Sequence, residues 1–202
     1  MTNYLYQGDL PENMDLGKLI AVDTETMGLN INRDRLCVIQ LSSGNGDCHI
    51  VQVRPPYDAP NLKSLLSNPA IMKIFHFARF DIAMLSKHLN IRCEPVYCTR
   101  TVSKLCRTNT ERHGLKDLCK AYLGVDLSKQ QQTSDWATSD LTEEQLSYAA
   151  ADVLYLHALK SKLDSLIDRE GRRSLVEACF RFLPDRAELD IAGWDDEDIF
   201  AH

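Results

Sequence analysis

The sequence lacks the marks of several large protein classes. No apolar run among its 202 residues approaches the roughly 18 residues of a membrane span. The opening stretch MTNYLYQGDLPENMD has neither the basic nor the apolar region of a secretory signal. Its seven cysteines form no CxxC pair, and an odd number cannot all pair within one chain. These absences predict a cytoplasmic protein with reduced, mostly buried thiols and no membrane partner.

Strong positive charge and a phosphate-binding glycine loop are also missing. A net charge of −6 argues against broad binding to long nucleic acid, which favours a basic face. Basic residues still outnumber acids from Arg92 to Lys120, and acids dominate from Asp185 to Asp198. The stretch SSGNGD lacks the pattern that a nucleotide-binding loop requires. The apolar content of 44% nevertheless supports a substantial core.

Apolar periodicity predicts an α/β fold with a mixed sheet. Strands are expected in KLIAVDTE, RLCVIQLSS and CHIVQV, and their short connections predict three antiparallel neighbours. Two further strands, IMKIFHF and EPVYCT, alternate with helices. The pattern therefore predicts helices packed on a mixed sheet.

Capping residues and breakers predict where the helices begin and end. Asn61 is the expected N-cap of NLKSLLS, and Gly124 should close GLKDLCKAYLG. A capping box at Thr142 opens the longest predicted helix, which ends near Gly171. A last helix should stop at Pro184. We expect a single domain over 1–202, with a helical C-terminal extension of about 171–202.

Two carboxylates, Asp23 and Glu25, end the first predicted strand in AVDTETMGL. Residues i and i+2 of a strand point to the same face, so the two acids should lie side by side. Two ionised carboxylates that close repel each other. A divalent cation would turn them into a ligand pair. The alternative is a strand end where both acids reach water.

Two other stretches could supply further ligands. In HFARFD, Asp81 falls in the first turn of a helix, where it could simply stabilise the N-terminus. In YAAAD, Tyr148 and Asp152 lie one helical turn apart on the same face, although packing on the sheet would also explain them. Together the four acids are typical of a site that holds two metal ions and cleaves a phosphodiester.

These stretches resemble the three motifs of the DEDD exonuclease superfamily. The YxxxD form of the third motif is similar to that of the ribonuclease D branch. The other branch has a histidine five residues before the last aspartate, where this chain has Ser147. The run SDWATSDLTEEQLSYAAADVLYL extends the resemblance, which covers about 21–159. It implies a ribonuclease H-like fold.

Only about 40 residues follow the last motif, whereas ribonuclease D carries additional helical domains. With RHGLK, SKQQQ and GW…DIFAH, the chain closely resembles the short bacterial nanoRNase C type. That resemblance implies a 3′→5′ exoribonuclease that degrades very short RNA, especially dinucleotides, to nucleoside 5′-monophosphates. It also implies a ring-shaped homo-oligomer, an octamer among the options, with no obligatory protein partner.

The resemblance assigns roles to the catalytic residues. Asp23, Glu25 and Asp152 would hold one of two ions, Mg²⁺ or Mn²⁺, and Asp23 would bridge to the second. Asp81 would support that second ion directly or through water. Tyr148 would orient or deprotonate the attacking water, and its ordinary pKa of about 10 favours orientation.

Five substrate-binding residues are expected beside the acids. Leu29 corresponds to the leucine that wedges between the terminal bases in oligoribonucleases, and Gly28 would let the backbone approach the substrate. Thr24 would offer backbone groups to the 3′-terminal ribose. His76 would contact the scissile phosphate or ribose, and Phe77 would stack on a base. For Leu29, His76 and Phe77 a place in the core is the alternative.

Two other functions stay open at this point. One is a 3′→5′ exonuclease that acts on longer RNA or on DNA with the same catalytic residues. The other is an inactive RNA-binding module, which loss of an acid would indicate. All four acids and the tyrosine are present in the sequence.

Overall fold

A six-stranded mixed sheet with helices on both faces forms the body of the protein, and confirms the predicted fold class. The structure, a computed structural model, describes residues 2–128 and 134–202. Residues 129–133, which include all of the SKQQQ motif except Ser128, lie outside the described residues. The strands are β1 (Asn3–Gln7), β2 (Leu19–Thr26), β3 (Leu36–Ser42), β4 (Cys48–Gln52), β5 (Met72–Phe75) and β6 (Val96–Cys98).

The sheet has the strand order β1-β4-β3-β2-β5-β6. Strands β2, β3 and β4 are antiparallel neighbours, as the short connections predict. Strand β1, which the apolar pattern does not predict, pairs in parallel with β4 at one edge. On the other side of β2, strands β5 and β6 run parallel to it. Strand β2, which ends in the two acids, is therefore central.

Seven helices cover the two faces of the sheet in the described part of the chain. They are α1 (Pro60–Ser67), α2 (Ala78–Leu89), α3 (Thr99–Cys106), α4 (Leu115–Leu123), α5 (Glu143–Leu154), α6 (Leu156–Glu170) and α7 (Arg173–Ile191). Helix α2 packs on the face that carries Ile20 and Val22. Helices α5 and α6 pack on the opposite face, with Ala21 and Ile74. Alternate residues of β2 therefore point to different helices.

The N-cap position of α1 is Ala59, two residues before the predicted Asn61. Pro60 occupies the first turn, where its missing N–H costs nothing. The side chain of Asp9 accepts hydrogen bonds from the backbone N–H groups of Asn61 and Leu62 at 2.9 and 2.8 Å. A carboxylate that is distant in sequence therefore caps this helix.

The longest predicted helix is two helices in the structure. Its capping box is present, since the Thr142 hydroxyl accepts from the backbone N–H of Gln145, and the Gln145 side chain accepts from that of Thr142. The helix breaks at Tyr155, whose φ of −98° and ψ of −7° separate α5 from α6. Helix α5 packs on β2, β3 and β4, whereas α6 packs on α3 and α4. The break lets one amphipathic stretch pack against both surfaces.

Helix α7 does not stop at Pro184, and that prediction is wrong. The helix continues to Ile191 with Pro184 inside it. Proline removes one backbone hydrogen bond there, but Ala187 and Asp190 beyond it are buried. Packing of α7 on α2 therefore compensates for the backbone hydrogen bond that Pro184 removes.

None of the described helices is both long enough and apolar enough to span a bilayer. All seven cysteines are free, and six of them are buried, as the sequence predicts.

Candidate active site

The end of β2 and one face of α5 bring three predicted acids together. Asp23 and Glu25 point to the face on which α5 packs, where α5 carries Asp152. Each of the three offers a carboxylate oxygen, and these oxygens lie within 4.8 Å of one another. Side chains two apart on β2 share a face, and that face is the one on which α5 presents Asp152. The three carboxylates therefore come together between the sheet and α5.

The fourth acid, Asp81, reaches the site from the opposite face of the sheet. Thr24 lies between Asp23 and Glu25 and so points to the other side, where its hydroxyl donates to Asp81 Oδ1 at 2.6 Å. Asp81 is buried in the first turn of α2, so it is not a solvated charge at a helix end. Its oxygens are not among the three within 4.8 Å. Instead, its charge helps to raise the pKa of Asp23.

All four acids have raised pKa values, mainly because burial disfavours their charged forms. The pKa of Asp23 is well above its ordinary value, and that of Glu25 is raised to about 9 by burial and by Asp152. Burial raises the pKa of Asp81 and of Asp152 to about 7. A folded protein holds such a cluster only if something neutralises its charge.

The acids of the site receive hydrogen bonds from neutral groups. Thr24 donates to Asp81, the Gln40 amide reaches Asp23 Oδ2 at 3.5 Å, and the Tyr148 hydroxyl hydrogen-bonds to Asp152. None of the ion pairs in the described residues involves the four acids. Close, half-buried carboxylates without a cationic partner are the donor set that hard divalent cations prefer. The cluster therefore fits the predicted metal ions.

Tyr148 lies one turn before Asp152 and remains protonated. Its pKa is raised well above the ordinary value by burial and then by the charge of Asp152. The ring packs against Trp136 with a centroid distance of 6.0 Å. A neutral, positioned hydroxyl can orient a water molecule, whereas a phenolate is disfavoured here. This favours the orienting role over the deprotonating one.

The acids lie in a cleft of about 610 Å³. Leu29 and Phe77 line it and are 83% and 48% exposed, which rules out a place in the core for either. Phe77 has a left-handed φ of 70° at the start of α2, an unusual conformation for a bulky residue. Its ring faces the Arg100 guanidinium at 5.1 Å. The cleft therefore offers exposed apolar surface beside half-buried carboxylates.

Gly28 has a reason to be glycine that the sequence does not show. A Cβ at this position would lie 2.4 Å from Asp34 Oδ2. The Asp34 carboxylate accepts hydrogen bonds from the backbone N–H of Asn30 and from the Arg33 side chain, so it is not free to move away. Gly28 thus allows the loop that carries Leu29 to close tightly on Asp34.

Two residues in or beside the cleft, Lys116 and Gln40, were not predicted as site residues, whereas Trp136 was expected in the pocket wall and Arg100 among the basic residues that meet substrate phosphate. Trp136, Arg100 and Lys116 line the cleft, and Gln40 donates to Asp23. Gln40 is completely buried in a mostly apolar strand. The glutamine in the run RLCVIQLSS could have indicated a site residue, because a polar side chain buried in a strand needs a hydrogen-bond partner.

The fold and the site together define a 3′–5′ exonuclease of the DEDD type with a tyrosine in its third motif. The family model described as 3′-5′ exonuclease matches residues 9–168. The chain belongs to this 3′–5′ exonuclease family, within which it is of the ribonuclease D and NrnC type.

Solved structures support this assignment over the full length of the chain. Brucella melitensis NrnC with bound Mg²⁺ is 49% identical, with a TM-score of 0.95 over 100% of both chains. Brucella melitensis NrnC bound to pGG is 50% identical, with a TM-score of 0.97 over 100% of this chain and 99% of that one. Escherichia coli RNase D is 27% identical, with a TM-score of 0.75 over 85% and 45% of the two chains.

Curated relatives match a shorter share of their own length. Ribonuclease D of Granulibacter bethesdensis is 30% identical over 83% of this chain and 42% of the relative. Human exosome complex component 10 is 35% identical over 71% of this chain and 16% of that protein. The chain thus spans less than half the length of these relatives.

Proposed function

We propose that the protein is a 3′→5′ exoribonuclease that degrades very short RNA, dinucleotides above all, to nucleoside 5′-monophosphates. The observation that carries this proposal is the exposed pair Leu29 and Phe77 beside the carboxylates in one cleft. Two bases separated by Leu29 would lie next to a phosphodiester held at the acids. A similar structure, that of Brucella melitensis NrnC, holds pGG, which supports a short substrate.

Asp23, Glu25 and Asp152 would hold a divalent cation, and Asp23 and Asp81 would contribute to a second. When bound, two such ions neutralise the charge that develops in phosphodiester hydrolysis and activate water. Mg²⁺ or Mn²⁺ suits an all-carboxylate donor set. The Mg²⁺ bound to Brucella melitensis NrnC favours magnesium.

The other residues of the cleft would bind and orient the reactants. Tyr148, neutral and packed on Trp136, would orient the attacking water. Thr24 would hold the Asp81 carboxylate in place through its hydroxyl, while its backbone contacts the terminal ribose. Among the described residues that line the cleft, Arg100 and Lys116 carry the positively charged arginine and lysine side chains. These two would pair with substrate phosphate.

The second part of the proposal is that the protein forms a homo-oligomeric ring. We also propose that it acts in the cytoplasm. Apolar side chains on α7 and beyond it remain exposed in the single chain, namely Leu175, Phe182, Trp194, Ile199 and Phe200. Exposed apolar surface of this kind is typical of an interface between subunits. Native mass spectrometry of the purified protein tests this part, and a monomer at micromolar concentration would contradict it.

A length series of 5′-labelled RNAs, from two to about ten nucleotides, tests the substrate. With Mg²⁺ or Mn²⁺ present, we expect kcat/KM to be highest for the dinucleotide and to fall sharply with length. The same series in DNA is the matched control. Comparable rates on long RNA or on DNA would instead support a general exonuclease, and absence of cleavage would support an inactive binding module.

A further inference from the structure

Leu29 lines the cleft with little packing of its own side chain. It is 83% exposed and lies on the loop 27–35 between β2 and β3, which we call the Leu29 loop. The imidazole of His76, which also lines the cleft, is held differently, since its Nδ1 lies 2.9 Å from the Thr99 hydroxyl oxygen. The position of Leu29 therefore depends on what holds the backbone of its loop.

Asp34 fixes the Leu29 loop from within. Its carboxylate accepts a hydrogen bond at 2.9 Å from the backbone N–H of Asn30, the residue directly after Leu29. Its own backbone N–H donates to the Asn30 carbonyl oxygen at 2.8 Å. The Arg33 guanidinium binds both carboxylate oxygens, at 2.7 and 2.9 Å. Because the same carboxylate also lies against Gly28, Asp34 contacts the residues on both sides of Leu29.

Lys87 joins the Leu29 loop to helix α2. Its Nζ donates to the carbonyl oxygen of Ile31 at 2.7 Å and to Oδ1 of Asn32 at 3.1 Å. Lys87 takes part in none of the ion pairs between described residues, so its ammonium group serves these two loop oxygens. The first turn of the same helix carries Asp81. Lys87 thus fixes the loop relative to an acid of the site.

We propose that Asp34 and Lys87 are positioning residues, which hold Leu29 as a preformed wedge and thereby set the preference for dinucleotides. This inference rests on the proposed function. A loop that became ordered only when substrate arrived would lose conformational entropy at that moment and weaken binding. A dinucleotide offers few contacts to offset that loss, whereas a longer RNA has further nucleotides to bind.

Substitution of Lys87 tests the proposal through the separate values of kcat and KM. Lys87→Met removes the ammonium group and retains the length of the side chain. We expect it to raise KM for a diribonucleotide about fivefold, the size of one ordering cost, with kcat nearly unchanged. For a ten-nucleotide RNA, KM should change by less than about twofold. Lys87→Arg, which can donate to the same oxygens, should restore most of the loss. Lys63→Met on α1, at a lysine that is also half-buried and lies outside the cleft, is the matched control.

Two further measurements separate positioning from a general loss of stability. Amide hydrogen exchange within 27–35 should become faster in Lys87→Met and in Asp34→Ala. It should change little in Asp34→Asn, which retains an acceptor for the N–H of Asn30. In a Leu29→Ala background, Lys87→Met should have no further effect on KM for the dinucleotide, because the side chain that it positions is absent.

The outcomes distinguish this inference from the proposed function. Equal losses at both RNA lengths, or an effect of Lys87→Met that adds fully to that of Leu29→Ala, would overturn the inference. Lys87 is half-buried near the end of α2, so its variants carry the test if Asp34→Ala does not fold. A wild type that cleaves both lengths equally well would overturn the proposed function instead.

Discussion

The charged form of Asp23 destabilises the folded protein, although the site needs that charge to bind metal. Its pKa is raised by burial and by the charges of three other acids. Asp23→Asn removes a charge at nearly constant volume. We expect kcat/KM to fall by at least about 10²–10³-fold, the size of a lost transition-state contact, while the metal-free protein melts at a higher temperature. Calorimetric Mg²⁺ titration should show weakened binding. Glu12→Gln, at an exposed acid, is the control, and full activity of folded Asp23→Asn would contradict the metal site.

The acidic cluster also predicts how the stability of the metal-free protein depends on pH. An acid whose pKa is higher in the folded state than its unfolded value of about 4 binds more protons when folded. The free energy of unfolding therefore falls as pH rises from about 4 through the folded pKa values, which reach about 9 for Glu25. We expect a lower melting temperature in EDTA at pH 8.5 than at pH 5.5.

Two comparisons separate this effect from other titrating groups. Mg²⁺ should raise the melting temperature more at pH 8.5 than at pH 5.5, since protons compete with the ion. Glu25→Gln should show a shallower pH dependence than wild type. If metal-free wild type became more stable from pH 5.5 to 8.5, with Glu25→Gln parallel to it, the cluster would not be destabilising.

Leu29 carries the proposed preference for short substrates. Its side chain is 83% exposed in the cleft, so truncation should leave the fold intact. Burial of a leucine between bases corresponds to about 1.5–3 kcal/mol. We therefore predict that Leu29→Ala lowers kcat/KM on a dinucleotide about tenfold or more, and much less on a ten-nucleotide RNA. Leu5→Ala on the edge strand β1, also an exposed leucine, is the control. An equal loss at every length would argue against the wedge.

Helix α5 shows how local sequence signals support the site at the scale of an element. Its capping box at Thr142 and Gln145 is present, and the Gln145 amide also donates to the Asp135 carbonyl at 3.0 Å, next to Trp136. Thr142→Ala should lower the free energy of unfolding by about 1 kcal/mol, measured by urea denaturation. Thr142→Ser, which retains the hydroxyl, should change it little. If Thr142→Ala had the same free energy of unfolding as wild type, packing alone would determine where α5 begins.

At the scale of the whole molecule, an ion cluster around the buried Asp190 joins the last helix, α7, to α2, the helix that carries Asp81. Asp190 of α7, 1% exposed, binds Arg79 of α2 through two contacts of 2.6 and 2.7 Å and Arg186 at 2.9 Å. Arg79 lies two residues before Asp81. The C-terminal helix therefore packs as part of the body that holds the site.

Removal of the shared carboxylate should be costly, because two guanidinium groups lose their anionic partner and keep only hydrogen bonds to the carbonyl oxygens of Trp194 and Asp195. We predict that Asp190→Ala lowers the free energy of unfolding by about 3–5 kcal/mol, measured by urea denaturation. The matched control is Asp185→Ala on the same helix, which loses an exposed pair with Arg92 and should cost less than about 1 kcal/mol. Equal effects of the two variants would show that the buried cluster has no special role.

Spacing within single elements predicted most of the acidic site. The i, i+2 pair Asp23 and Glu25 and the i, i+4 pair Tyr148 and Asp152 are set by strand and helix periods, which depend only on neighbouring residues. The capping box at Thr142 is equally local, and the prediction of it is confirmed. The three antiparallel strands followed from short connections. These features are readable because nothing distant in the chain is needed to form them.

Other features depend on residues that only the folded chain brings together. Asp9 caps α1 from about fifty positions away, and packing carries α7 through Pro184. The partner of Gln40, Asp23, cannot be read from a linear pattern either. The sequence thus determined which side chains could bind metal and that they would project together. The tertiary structure decided their burial, their raised pKa values and the exposed cleft, because these depend on which surfaces of the sheet and helices meet.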